Sequence, residues 1–119
     1  MSLDLSVDVA GSQLVISLCG QLDAAGATQA VAAVAGLGVL NRCVIFDLAA
    51  LDFIDCFSLR ALLELRRLAQ WAGGDVLLAA PTEPVRRLLA LTRMSARFCL
   101  YATVAAAVAS AHSITAGRS

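Results

Sequence analysis

The chain contains no lysine; its nine basic residues are all arginine. That removes a Schiff-base lysine, a Walker-type lysine and the lysine of response-regulator receiver domains. Histidine is nearly absent as well. His112 stands alone, without ligand-spaced neighbours, so neither a metal site nor a Ser–His hydrolase finds support. Net charge is missing too, because nine acids balance the nine arginines. A general electrostatic footprint for nucleic acid is thereby excluded. Gly36-Leu-Gly38 lacks the remaining glycine and follows a helical pattern rather than a strand, so it is no dinucleotide fingerprint. Asp52 and Asp55 form no catalytic acid pair, since no base, metal ligand or nucleophile accompanies them. The expectation is a non-enzymatic domain without a cofactor.

Long apolar spans are also lacking. The stretches 24–41 and 98–117 carry no charge, but the first is Ala-rich with Gln29 and three glycines. The second contains Thr103, Ser110, His112, Ser113 and Thr115. Neither is a run of about twenty apolar residues, so no membrane insertion is expected. The cysteines, Cys19, Cys43, Cys56 and Cys99, form no CxxC pair. Three of them sit in apolar runs, where reduced cysteine is a common core residue. With no signal peptide in view, they read as cytosolic thiols and the chain as cytoplasmic. No repeat, low-complexity tract or linker divides it.

What is present is apolar mass. Of 119 residues, 60% are hydrophobic and only 15% charged. One domain over residues 1–119 can bury a real core without staples. The excess is mostly Ala, Val and Leu, and it points to apolar surface that meets a partner, with a homodimer left open.

Leu3, Leu5, Val7 and Val9 alternate with polar residues, the period-two signature of a half-buried strand. Gly11 and Ser12 turn the chain into a second apolar strand over 14–19, predicting a hairpin. Asp23 is placed to cap a helix through about Leu37, stopped by Gly36 and Gly38. Residues 42–48 are continuously apolar apart from Asp47, which predicts a central strand buried on both faces. Val44 and Phe46 should point to one face and Ile45 to the other.

Residues 57–72 form the strongest helical pattern. Leu59, Leu62, Leu63, Leu65, Leu68, Ala69 and Ala72 make an apolar face; Arg60, Glu64, Arg67 and Trp71 make a stripe opposite. Gly73 and Gly74 end it. A strand over 76–80, a short helix over 83–92, a strand over 98–101 and an Ala-rich helix over 103–111 follow. The tail from His112 to Ser119 is expected to fray. Two hairpin strands followed by alternating helices and strands predict a parallel sheet with right-handed crossovers and the hairpin at one edge.

The most informative stretch is VIFDLAALDFIDCFSLRALLEL, from Val44 to Leu65. A strand, an acidic corner and a helix start fall within a dozen residues, and a helix start presents unpaired N–H groups and positive dipole character. Asp55 reads first as the N-cap. Ser58, in the first turn, is either an ordinary serine with a solvent-facing hydroxyl or a phosphoacceptor. Phe57 is either a core residue folded back or an exposed interface anchor. Trp71 is either a local partner of Arg67 or a residue facing a partner.

These residues carry a resemblance. The segment IFDLAALDFIDCFSLRALLELRRLA resembles the STAS family, the domain of sulfate transporters and anti-sigma factor antagonists. There a strand ending in Asp-Leu is typically followed by Phe-Ile-Asp-Ser-Ser-Gly-Leu and a helix. Gly20-Gln-Leu-Asp23, Gly74-Asp-Val-Leu-Leu, Pro81 and Val85-Arg-Arg-Leu-Leu add to the match, which covers roughly Leu3 to Ser110. The resemblance implies an α/β fold, a mixed sheet with an N-terminal hairpin and helices packed mainly on one side.

It also implies a partner switch. In regulatory members the domain binds an anti-sigma factor with serine-kinase activity and so frees a sigma factor. Phosphorylation at the helix start breaks the complex, and a metal-dependent serine phosphatase restores it. The surface so implied comprises Asp23, Asp55, Cys56, Phe57, Ser58, Leu59 and Arg60. One departure stands out: the usual phosphoacceptor position holds Phe57, and the usual glycine is Ser58. A shift of one residue turns a hydroxyl by about 100° around the helix, so either phosphorylation has moved to Ser58 or the standard switch is lost, and loss is the favoured reading. An alternative within the same family is an accessory cytoplasmic module of a lipid or anion transporter.

Overall fold

The computed structural model describes the backbone of residues 3–37 and 42–116, and the side chains of 3–36 and 42–113. Strand β1 (Leu3–Ala10) turns into β2 (Gln13–Leu22). Helix α1 (Ala24–Leu37) leads to β3 (Cys43–Ile54) and α2 (Cys56–Trp71). Strand β4 (Asp75–Ala79), α3 (Glu83–Leu91) and a 3₁₀ turn (Met94–Arg97) precede β5 (Cys99–Tyr101) and α4 (Val104–Ala116). The five strands lie in sequence order, β1–β2 antiparallel and every later pair parallel. The hairpin expected at one edge is therefore there. Its turn needs Gly11, whose φ of +66° strains any residue with a Cβ although open space surrounds it.

Side-chain alternation in the central strands builds two cores. Ile16, Phe46 and Leu78 form a row across β2, β3 and β4. They face α1, α2 and α3 in the larger core, with Val34, Leu62 and Leu89 among its members. The neighbouring row, Val15, Ile45 and Leu77, faces α4 through Ala107 and Ala111. Val44 and Phe46 thus share one face and Ile45 takes the other, each fully buried. Three helices cover one side and one covers the opposite side, so the helices lie mainly on one side of the sheet.

Strand β3 differs from expectation in a way that shapes the site. It does not stop near Leu48 but runs to Ile54, paired with β2 as far as Leu22, with register shifts between Ser17 and Cys19 and between Gly20 and Gln21. These irregularities keep Leu48, Leu51 and Ile54 facing the core although the pattern breaks strict alternation. Strand β4 ends its pairing at Asp47. Beyond that point Thr82, at the start of α3, donates its hydroxyl to the Leu51 carbonyl at 2.7 Å and occupies part of the open edge.

Smaller corrections follow from packing. In β1, Leu3 and Leu5 pack on the core, while Val7 and Val9 are 40% and 68% exposed on the edge strand. Gly36 lies inside α1 rather than ending it, and Gly38 lies outside the described residues. The 3₁₀ turn was not expected. Helix α4 continues to Ala116, so residues 112–116 are helical rather than frayed. Cys43 alone is fully buried, Cys99 is half-buried, and Cys19 and Cys56 are exposed; none of the four is in a disulfide. No helix among the described residues is long and apolar enough to cross a membrane.

Candidate functional site

Two helix starts meet at one end of the sheet. Leu22 and Ile54, the last residues of β2 and β3, are paired. Each is followed by an aspartate that starts a helix. Asp23 Oδ1 accepts the Gly26 N–H at 3.0 Å, and Asp55 Oδ1 accepts the Ser58 N–H at 2.8 Å. Both carboxylates therefore satisfy backbone donors that a helix start leaves unpaired. Parallel pairing of β2 with β3 places these two caps side by side, a proximity that sequence separation alone does not reveal.

The Leu22 carbonyl fastens the corner. It accepts the Asp55 N–H at 3.3 Å and the Ser58 hydroxyl at 2.9 Å. Ser58 is completely buried, which overturns the expectation of a solvent-facing hydroxyl. Helix geometry explains why. Ser58 lies one turn before Leu62 and two before Leu65 on the face of α2 that meets the sheet. Leu59 is also completely buried, so neither residue can touch a docked protein; both hold the corner from within.

Cys56, Phe57 and Arg60 lie outside. Phe57 is 58% exposed, which excludes the folded-back core reading. Trp71, at the far end of the same helix, is 90% exposed. Its expected neighbour Arg67 is instead engaged by Glu64, with Nε donating to Glu64 Oε2 at 3.0 Å. That hydrogen bond holds the Glu64 carboxyl below its usual range, and Glu64 raises the Arg67 guanidinium in return. The stripe opposite the core is thus real, but Leu68, expected on the apolar face, is 41% exposed beside it.

Sequence reasoning missed two exposed apolar residues, one near the end of β3 and one at the end of α3. Phe53 and Leu91 are 40% and 75% exposed and line a shallow hollow with Leu88. No periodic signal finds Phe53, because the two residues between buried Leu51 and Ile54 are both exposed. Nothing in the sequence brings Leu91 to it; that depends on how α3 lies along the end of β3. Among the described residues no group of His, Cys, Asp or Glu is arranged to hold a metal.

The fold has counterparts among solved structures. An anti-sigma factor antagonist from Mycobacterium paratuberculosis superposes with a TM-score of 0.79 at 24% identity, covering 93% of this chain and 95% of that one. The anti-sigma factor antagonist SpoIIAA, a Bacillus protein, in its unphosphorylated form gives 0.72 at 22% identity, covering 90% and 93%. The murine anion transporter Slc26a9 gives 0.74 at 16% identity, but there this chain covers only 18% of the longer protein while 89% of this chain is matched. At such identities the likeness is one of fold. No curated protein matches the sequence. The STAS domain profile, however, matches residues 4–107, nearly the whole of the described fold. On that match the chain belongs to the STAS domain family.

Proposed function

We propose that this domain is a regulatory protein-binding module of the anti-sigma factor antagonist kind. It docks on an anti-sigma factor with serine-kinase activity and thereby releases a sigma factor. The docking surface is the corner of Asp23, Asp55, Cys56, Phe57 and Arg60. The observation that carries this reading is the exposed Phe57 at the start of α2, on a helix pinned by the Asp55 cap. A large aromatic group on a rigid element loses little entropy on docking and buries much apolar area. The module works in the cytoplasm and performs no chemistry of its own.

In this reading the phosphate switch is absent. Phe57 has no hydroxyl, and the Ser58 hydroxyl is buried and already donating to Leu22. A metal-dependent serine phosphatase then has no substrate here, and affinity alone sets the lifetime of the complex. A second reading is supported by the likeness to part of Slc26a9: an accessory module of a lipid or anion transporter. Affinity capture with mass spectrometry separates the two. Recovery of a histidine-kinase-fold ATPase supports the first, and recovery of a transport ATPase supports the second.

Phe57→Ala is the sharper test. Partner affinity should fall by about 2 kcal/mol or more. Thermal unfolding should stay within about 0.5 kcal/mol of the parent, as expected for an exposed side chain. A stability loss larger than the affinity loss would remove Phe57 from the interface.

A further inference from the structure

Five arginines gather along a cleft between α2 and the 3₁₀ turn that follows α3. Two adjoining hollows of about 440 and 410 Å³ share Arg60, Leu63 and Arg97. Arg66 and Arg67 border the first, and Cys56, Arg93 and Met94 border the second. Two of the five are spoken for. Arg66 donates from Nε to Asp75 at 3.0 Å and also to the Arg97 carbonyl, which ties the 3₁₀ turn to α2 and β4. Arg67 is engaged by Glu64.

Arg60, Arg93 and Arg97 are different. All three are exposed, and among the described residues no carboxylate forms an ion pair with any of them. The cleft therefore carries net positive charge in a chain whose total is zero. Its charge is segregated: Asp4 and Asp8 lie on β1, at the opposite edge of the sheet from β5. Arg93 adds a second observation. It follows the last turn of α3 with φ +60° and ψ +20°, a left-handed conformation that glycine adopts freely and an L residue adopts only at a cost. An arginine is held where glycine would be easier, and its side chain joins the cleft.

We propose that this cleft receives an acidic segment of the protein partner, with carboxylates on Arg60, Arg93 and Arg97 and an apolar side chain against Leu63 and Met94. The inference rests on the reading of the α2 corner as a protein-docking surface, because the cleft opens at Cys56, next to Phe57. Guanidinium forks match carboxylates in a bidentate way. A concave site that mixes three unpaired arginines with half-buried Leu63 and Met94 suits a peptide of acidic and apolar residues. Glu64 at the cleft wall opposes a continuous polyphosphate track.

The test uses the full chain and a fluorescein-labelled peptide of glutamate and leucine, followed by anisotropy at low salt. The peptide should bind, and a lysine–leucine counterpart should not. Arg60→Glu and Arg97→Glu should each weaken binding by about tenfold or more, with thermal unfolding unchanged. Arg86→Glu, a charge reversal on α3 outside the cleft, should leave binding as it was. No binding by the parent chain, or equal binding by all variants, would overturn the proposal. So would an anionic phosphatidylglycerol vesicle or duplex DNA that binds more tightly than the peptide with the same arginine dependence. Affinity capture keeps this apart from the proposed function. If the peptide result holds but no anti-sigma factor is captured, the cleft stands and the partner assignment fails. If the ATPase is captured equally by parent and charge-reversed chains, the cleft fails and the assignment stands.

Discussion

Ser58→Asp should destabilise the fold by about 3–5 kcal/mol, read as a lower urea midpoint with an unchanged slope. The substitution imitates a phosphoserine, and at an exposed helix start it would be benign. Here the Ser58 side chain is fully buried, and its hydroxyl donates to the Leu22 carbonyl at 2.9 Å. A carboxylate in that position meets another acceptor. It also adds like charge beside Asp55, whose Oδ1 already holds the Ser58 N–H. An unpaired buried charge outweighs the helix dipole, which offsets only about 0.3–1 kcal/mol. Ser58→Ala is the control. The Leu22 carbonyl keeps the Asp55 N–H, so the loss should be about 1 kcal/mol. Incubation with a cognate serine kinase and ATP should, for the same reason, leave Ser58 unmodified by mass spectrometry. Stoichiometric phosphate on Ser58, or a Ser58→Asp chain as stable as the parent, would mean that the first turn of α2 opens readily and that a displaced switch survives.

Phe46→Ala should be comparably damaging, at about 3–5 kcal/mol. Phe46 is fully buried in the middle of β3, flanked in register by Ile16 and Leu78. Its ring lies in the core shared by α1, α2 and α3. Parallel strands on both sides hold the backbone, so the cavity cannot close by a small shift, and the lost contacts add to the lost transfer free energy. Against a domain stability of about 5–15 kcal/mol, that leaves the variant marginal. Urea unfolding measures it directly. A loss below about 1.5 kcal/mol would mean that the core collapses around the gap. The contrast with Phe57→Ala is informative, since the same chemical change on an exposed ring should move binding instead of stability.

Much of this fold is legible in the sequence because its signals are local. Turn glycine at Gly11, aspartate before each of the first two helices, period two around Val44, Ile45 and Phe46, and the Gly73-Gly74 stop after α2 all act within a few residues. Each is borne out. The STAS resemblance could be drawn from the same stretch. The end of β3 is not legible in the sequence because register shifts against β2 break the alternation that marks a strand; a bulge is specified by the partner strand as much as by its own residues.

The functional surface divides along the same line. Residue identity alone determined that no lysine, paired histidine or cysteine pair is available for chemistry, and that Phe57 stands where a hydroxyl is usual. Tertiary structure decided which side of the corner each residue faces. Rotation of α2 against the sheet buries Ser58 and Leu59 and exposes Cys56, Phe57 and Arg60, a choice made by packing of Leu62, Leu65 and Ala69 rather than by the first turn itself. The juxtaposition of the Asp23 and Asp55 caps and the gathering of Arg60, Arg93 and Arg97 also exist only after folding. Parallel strand pairing brings together helix starts far apart in the chain, and the Arg66 tether sets the 3₁₀ turn against α2. Such proximity depends on long-range packing energies, which no window of sequence contains.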